Sequence, residues 1–201
     1  MRTRLTVMVW TIALSIGATG AAAQGLSWGL KGGVGFGSLN TEGQDAFETS
    51  PDPGGMFGGF FGVDIGRVVR FQPEVYWSVR RFSATGVPTP FAVTSRGVEV
   101  PLLLQVRVPE ARSTQAVLFI GPQFSVVGKV EQRIGNAATD ISDQIRDRDA
   151  GVVFGAGLER AVSTGALVFD VRAVIGTRNL AESGTGSIKS RAIQVLVGYR
   201  F

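Results

Sequence analysis

Segment 192–201 alternates without a break. Ile193, Val195, Val197, Tyr199 and Phe201 share one face of an extended chain, and Ala192, Gln194, Leu196, Gly198 and Arg200 share the other. Successive side chains of a strand point to opposite sides. Such a segment therefore needs two different surroundings, one of them apolar. The same period of two returns along most of the chain, which restricts the fold to antiparallel β architecture.

The other end of the chain has a different pattern. Arg2 and Arg4 precede an apolar run from Leu5 to Ile16, and Ala21-Ala22-Ala23 stands before Gln24. Residues 1–23 thus read as a secretory signal peptide, cleaved near Ala23. The apolar run is too short for an anchored membrane helix, and Gly17 and Gly20 follow it. Cleavage removes two arginines and no acid, so the formal charge falls from +4 to about +2. No Lys/Arg cluster remains, and nucleic acid is not an expected partner. The chain has no cysteine, hence no disulfide and no acylated thiol. Residues 24–201 suit one domain. None of their stretches reaches the ~18 apolar residues of a membrane helix. If the chain enters a membrane, strands must take it there.

Strands are expected near 26–38, 56–66, 68–82, 94–108, 115–130, 149–160, 166–178 and 189–201. Long connections (39–55, 83–93, 131–148 and 179–188) alternate with short ones at Gly66-Arg67, Pro109 to Thr114, and Ala161 to Gly165. Transmembrane barrels have long loops outside and short periplasmic turns. An even strand number then puts both termini in the periplasm. Ser50-Pro51-Asp52-Pro53-Gly54-Gly55 and Ser183-Gly184-Thr185-Gly186-Ser187 read as loop segments. Loop 131–148 carries Asp140, Asp143 and Asp147, with Asp149 just beyond, and has room for a helical turn.

The two faces differ sharply. In the third strand Val69, Phe71, Pro73, Val75, Trp77 and Val79 oppose Arg70, Gln72, Glu74, Tyr76, Ser78 and Arg80. The fourth and seventh strands repeat the contrast. The apolar face could line a soluble ligand-carrying barrel or face lipid. Glycine decides the expectation. Gly29, Gly33, Gly35 and Gly37 share the face of Lys31, Gly58 and Gly62 that of Asp64, and Gly151, Gly155 and Gly157 that of Glu159. Glycine weakens strands and gains nothing on a solvated surface, but in a narrow lumen it leaves room for long side chains. The polar face is therefore assigned to the lumen. Its charges are Lys31, Asp64, Arg70, Glu74, Arg80, Glu99, Arg107, Glu159, Asp170, Arg172 and Arg200. Nearly balanced signs suit either an ion pathway or a plug of salt bridges. An eight-stranded barrel is about filled by its own side chains, which favours the plug. On the apolar face Trp28, Tyr199 and Phe201 fall at the periplasmic boundary and Trp77 near the opposite one, where aromatic girdles occur.

Certain segments resemble the PorT-like outer-membrane β-barrel proteins: Gly29-Leu30-Lys31-Gly32-Gly33-Val34, Phe71-Gln72-Pro73-Glu74-Val75, Val98-Glu99-Val100-Pro101-Leu102-Leu103-Leu104, Phe119-Ile120-Gly121-Pro122, and the ending Gln194 to Phe201. The resemblance spans essentially all of 24–201. It implies an all-β, eight-stranded antiparallel up-and-down transmembrane barrel in the bacterial outer membrane. The namesake of the family is linked to protein secretion. Family barrels end on an aromatic residue read by the insertion machinery, and Phe201 matches it. The resemblance thus implies periplasmic chaperones and an insertase as transient partners beside outer-membrane lipid.

The chain has no histidine, which removes most hydrolase arrangements built on an imidazole base. Gly33-Val34-Gly35-Phe36-Gly37 lacks the helix that a nucleotide loop needs. The aspartates of 131–148 lack calcium-loop spacing. Neither catalysis nor a cofactor or metal is expected. Three functions remain: a monomeric barrel with a packed lumen whose loops meet an unidentified partner, a narrow channel, and a soluble periplasmic carrier of an apolar ligand.

Overall fold

The computed structural model describes residues 25–42, 49–84, 90–108, 113–142, 148–177 and 187–201. Nine strands follow in order: β1 (Leu26–Glu42), β2 (Thr49–Ile65), β3 (Val69–Ala84), β4 (Phe91–Val108), β5 (Thr114–Ile134), β6 (Ala137–Asp140), β7 (Arg148–Val162), β8 (Gly165–Gly176) and β9 (Ser187–Arg200). Every pairing is antiparallel. β1 to β5 pair in sequence, β5 pairs with β7, β7 with β8, β8 with β9, and β9 returns to β1. Eight strands close the barrel, as the alternation predicts; β6 pairs only with the far end of β5.

The stagger fixes the bore. Partners followed round the barrel from Trp28 lead through Phe61, Pro73, Leu102, Pro122, Val152, Ile175 and Arg191 back to Ser38, ten residues along β1. A stagger of ten over eight strands tilts each strand by roughly 40° and leaves an interior that side chains can fill. The seam between β1 and β9 is continuous from Gly29–Arg200 to Glu42–Ser187, and the Phe201 N–H donates to the Trp28 carbonyl at 2.8 Å. No sheet edge is left among the eight strands, as a bilayer requires.

Several boundaries differ from expectation. Segment 50–55 is not a loop, because β2 begins at Thr49. Asp52 pairs with Arg81 but Met56 with Ser78, so β2 carries one extra residue between these pairs. This bulge absorbs Pro53 and lets the ladder continue past residues that would otherwise break it. β3 and β4 also run longer, to Ala84 and from Phe91, which shortens the expected 83–93 loop. β8 ends at Gly176, short of the expected 178, and Ser187 belongs to β9, while 183–186 lie outside the described residues.

Loop 131–148 holds a hairpin rather than a helical turn. β5 continues to Ile134, Gly135-Asn136 makes a two-residue turn with Gly135 at φ 54°, and β6 pairs back, Ile134 with Ala137 and Glu131 with Asp140. Gly-Asn between two strands is a known hairpin signal. Beyond it the Asp140 carboxylate accepts from the Ser142 hydroxyl at 2.5 Å and N–H at 3.0 Å, which holds its pKa below the ordinary value. This contact is fully present at neutral pH. It is expected to be lost only as pH falls through the depressed Asp140 pKa, and the Ser142 amide NMR shift should follow that titration. A Ser142 shift that titrates near neutrality would contradict the contact.

The two faces separate as the glycine pattern suggests. Phe57, Trp77, Leu118, Ile120 and Phe124 point out of the barrel and are at least half exposed, whereas Lys31, Arg70, Glu74 and Arg172 point inward at 2% exposure or less. A soluble carrier would have the reverse distribution. No helix among the described residues is long and apolar enough to cross a membrane, and the apolar band is carried by strands.

Candidate functional site: an ion-paired lumen

The inward charges form three layers. In the middle layer Lys31 on β1, Glu74 on β3, and Asp170 and Arg172 on β8 make a closed ring. Lys31 Nζ lies 2.8 Å from Glu74 Oε1 and 2.6 Å from Asp170 Oδ2. Arg172 reaches Glu74 Oε2 at 2.6 Å and Asp170 Oδ2 at 2.9 Å. Two cations and two anions alternate, so each buried charge meets opposite charge on both sides. Glu74 also accepts from Gln72 at 2.8 Å and from the Tyr76 hydroxyl at 3.0 Å. The ring is framed by π faces. Lys31 Nζ sits 4.6 Å from the Phe60 ring centre, and the Arg172 guanidinium lies 5.6 Å from Tyr76 and 5.4 Å from Phe119.

Toward the turn end a chain of pairs links five strands. Arg107 reaches Asp64 at 3.1 Å, Asp64 receives Arg70 at 2.7 Å, Arg70 reaches Glu159 at 3.0 Å, and Glu159 receives Arg200 at 3.2 Å. Toward the loop end Arg80 donates to Glu99 at 2.9 Å, and Gln123 and Gln194 add amide donors at 2.9 and 3.1 Å. Charge thus cancels in the middle ring and in the Arg80–Glu99 pair, while the turn-side layer keeps one excess cation, and Asp149 at the loop end accepts from the Ser190 hydroxyl at 3.1 Å. Arg80, Arg107 and Arg200 are partly solvated where their layers meet the barrel mouths.

Local sequence explains the fit. Lys31 pairs across the sheets with Gly58 on one side and Gly198 on the other, Arg172 with Gly155, and Asp170 with Gly157. A Cβ at Gly198 would fall 2.6 Å from the Lys31 side chain, and one at Gly62 would crowd the Arg70 side chain at 3.0 Å. Lys31, Asp170 and Arg172 therefore lie beside backbone stripped of side chains, whereas Glu74 stands opposite Phe60. Apolar wedges fill the remainder: Leu103, Val117, Phe119, Val153 and Val174 in one cluster, and Met56, Tyr76 and Leu196 in another. Near the loop end a cavity of about 20 Å³ remains between Gly35, Gly54, Ser78, Glu99 and Gln194, room for about one water.

The lumen glutamines Gln72, Gln105 and Gln194 stand on the face that alternation assigns to the interior, whereas Gln123 and the inward rings of Phe60 and Phe119 were not among the residues placed there from the sequence. Their strand parity places them inward, and that signal was available. The carboxylates Glu159 and Asp170 do not form an acid–base pair. Glu159 stands opposite Val168 and Asp170 opposite Gly157, and they serve different arginines. Among the described residues no group of three carboxylates is placed to hold a metal; Asp143 and Asp147 lie outside them. On the outer face Trp28 stacks on Phe201 at 4.2 Å, and Tyr199 meets Phe201 edge-on at 4.8 Å. Trp77 lies farther along, opposite the outward Phe57, and is 56% exposed.

A closed strand wall with an apolar exterior and an ion-paired interior defines a membrane-spanning β-barrel. The chain belongs to the outer membrane protein beta-barrel domain family, whose model matches residues 10–201. Similar solved structures include Ail of Yersinia pestis bound to the heparin analogue sucrose octasulfate, with 12% identity and a TM-score of 0.48 over 88% of this chain and 99% of that one. Neisserial surface protein A follows, with 13% identity and a TM-score of 0.45 over 90% and 100%. The outer membrane enzyme PagL has 14% identity and a TM-score of 0.40 over 82% and 97%. No curated protein matches the sequence.

Proposed function

We propose that this chain is a non-enzymatic barrel of the bacterial outer membrane whose lumen is sealed by its own ion pairs and whose long connections carry recognition at the cell surface. The carrying observation is the closed ring of Lys31, Glu74, Arg172 and Asp170, which bridges β1, β3 and β8 across the bore. The fold is shared with an enzyme, so the reading rests on side-chain chemistry, not architecture. The chain offers no histidine, and the carboxylates of the ring and of the layers on either side of it are engaged by cations. The Glu99-Val100-Pro101-Leu102-Leu103-Leu104 and Gln72-Pro73-Glu74 segments support a place among PorT-like barrels. In this reading residues 1–23 are removed, the Trp28–Tyr199–Phe201 cluster marks the periplasmic boundary, Trp77 approaches the outer one, and Phe201 serves insertion. The protein acts as a monomer.

Planar-bilayer recording tests the seal. Wild-type protein is expected to give no steady conductance over many insertions that are verified by a heat-dependent gel shift. Defined steps that Glu74→Ala or Arg107→Ala alters would replace this reading with a narrow channel. Removing the connection between β8 and β9 is expected to preserve the gel shift.

A further inference from the structure

At the loop end the outward positions change chemistry abruptly. On β3 the outward series is Val75, Trp77, Val79 and then Arg81, and on β4, toward the same end, Val100, Val98 and then Arg96. On β5 Phe124 and Val126 give way, past the irregularity opposite Arg96 and Gly97, to Lys129 and Arg133. On β7 Arg148 follows Ala150, and on β9 Arg191 follows Ile193. All six basic residues are exposed. Register sets them side by side: Arg96 opposite Lys129 and opposite Val79, Arg81 opposite Thr94, and Arg148 opposite Val126. Arg81, Arg96, Lys129 and Arg148 thus make one oblique row across four adjacent strands. Glu131 reaches two of them, Lys129 at 2.8 Å and Arg96 at 3.6 Å. Among the described residues the turn end differs, with Arg160 on β7 and Arg67 in the β2–β3 turn too far apart around the barrel to form a row.

Like charges at directly paired strand positions repel, and the two carboxylates beside the row, Glu131 and Asp52 opposite Arg81, do not neutralise four cations. The row begins one outward position above Val79, Val98 and Val126, all part of the apolar band. A ligand that covers both must be apolar below and anionic at its head. We propose that Arg81, Arg96, Lys129 and Arg148, flanked by Arg133 and Arg191, bind the phosphate groups of anionic lipids in the leaflet at the loop end. Arginine forks take two phosphate oxygens each, and Lys129 adds a point charge. The inference deepens the membrane-barrel reading above and rests on it.

The test uses tryptophan quenching by brominated lipid. Protein purified from membranes has in this reading lost Trp10 with residues 1–23, so changing Trp28 to phenylalanine leaves Trp77 as the sole indole. Trp77 stands opposite Val98, one outward position below Arg96. In phosphatidylcholine vesicles, brominated phosphatidic acid is expected to be favoured over brominated phosphatidylcholine around Trp77 by at least about threefold. The ratio should fall to about one in the Arg96→Gln/Lys129→Gln/Arg148→Gln variant, and in the unmutated row at about 1 M salt. A companion protein with Trp28 alone should show a ratio near one. A ratio at Trp77 unchanged by both the substitutions and salt, no preference at Trp77, or an equal preference at Trp28 would overturn the proposal. So would a sulfated oligosaccharide that binds the row in detergent while the lipid ratio stays at one; that result would assign the row to a soluble polyanion. The salt arm needs no variant to fold. Loss of the heat-dependent gel shift would contradict the barrel itself and is thereby told apart from failure of lipid selection.

Discussion

Replacing Glu74 with alanine is expected to lower the unfolding free energy of the barrel by about 3–5 kcal/mol, the cost of leaving a buried charge without its partner. Lys31 and Arg172 would then share Asp170 alone, and Gln72 and Tyr76 would lose their common acceptor. Denaturant titration of the reconstituted protein, followed by the lipid-facing tryptophans, reads the loss directly. Two companions separate charge from packing. Lys31→Met combined with Glu74→Leu removes one cation and one anion together, keeps the Arg172–Asp170 pair, and should recover most of the loss. Glu131→Ala removes an exposed carboxylate at the loop end and should leave the unfolding midpoint essentially unchanged. A Glu74→Ala loss below about 1 kcal/mol would mean that water carries the lumen charges, and the sealed-lumen reading would fall with it.

Gly58→Val is the second large effect, expected at about 3 kcal/mol or as outright failure to close. A Cβ on Gly58 would run into the Val75 carbonyl oxygen of β3 and come within 2.7 Å of the Tyr76 ring. Backbone of a paired strand cannot give way without opening the ladder between β2 and β3. Gly55 is the internal control, because it lies on the same strand but a Cβ there meets nothing within 4 Å. Gly55→Ala should stay within about 0.5 kcal/mol of wild type. Heat-dependent gel mobility and urea midpoints for the pair decide the matter. Equal tolerance at both positions would refute the account of lumen glycines as space left for neighbouring strands.

The strand count, the direction of each face and the inward set of charges were legible because alternation is a local property. Parity alone tells which residues share a side, and a one-residue slip would move the whole set to the wrong face. Glycine on the charged side then argued for a crowded interior over a wet surface. Other features were misread where local signals competed. Ser50 to Gly55 has turn-forming composition, yet the β1 and β3 ladders on either side hold it extended and a bulge absorbs the misfit. Gly135-Asn136 carried a hairpin signal that was overlooked beside the neighbouring aspartates.

By itself the sequence determined that each strand has one apolar face and one face of charges and glycine, and the glycines favoured the charged face as the interior; the tertiary structure decided it. Which charges meet was decided only by the tertiary structure. Lys31 finds Glu74 and Asp170 at separations of 43 and 139 residues, and Arg172 finds Glu74 at 98. Those meetings depend on the stagger, tilt and bore of the closed barrel, which are sums over all eight registers. No single strand encodes them. The outward row of Arg81, Arg96, Lys129 and Arg148 has the same origin: four cations scattered along the chain become neighbours because pairing register, not sequence distance, sets their height on the wall.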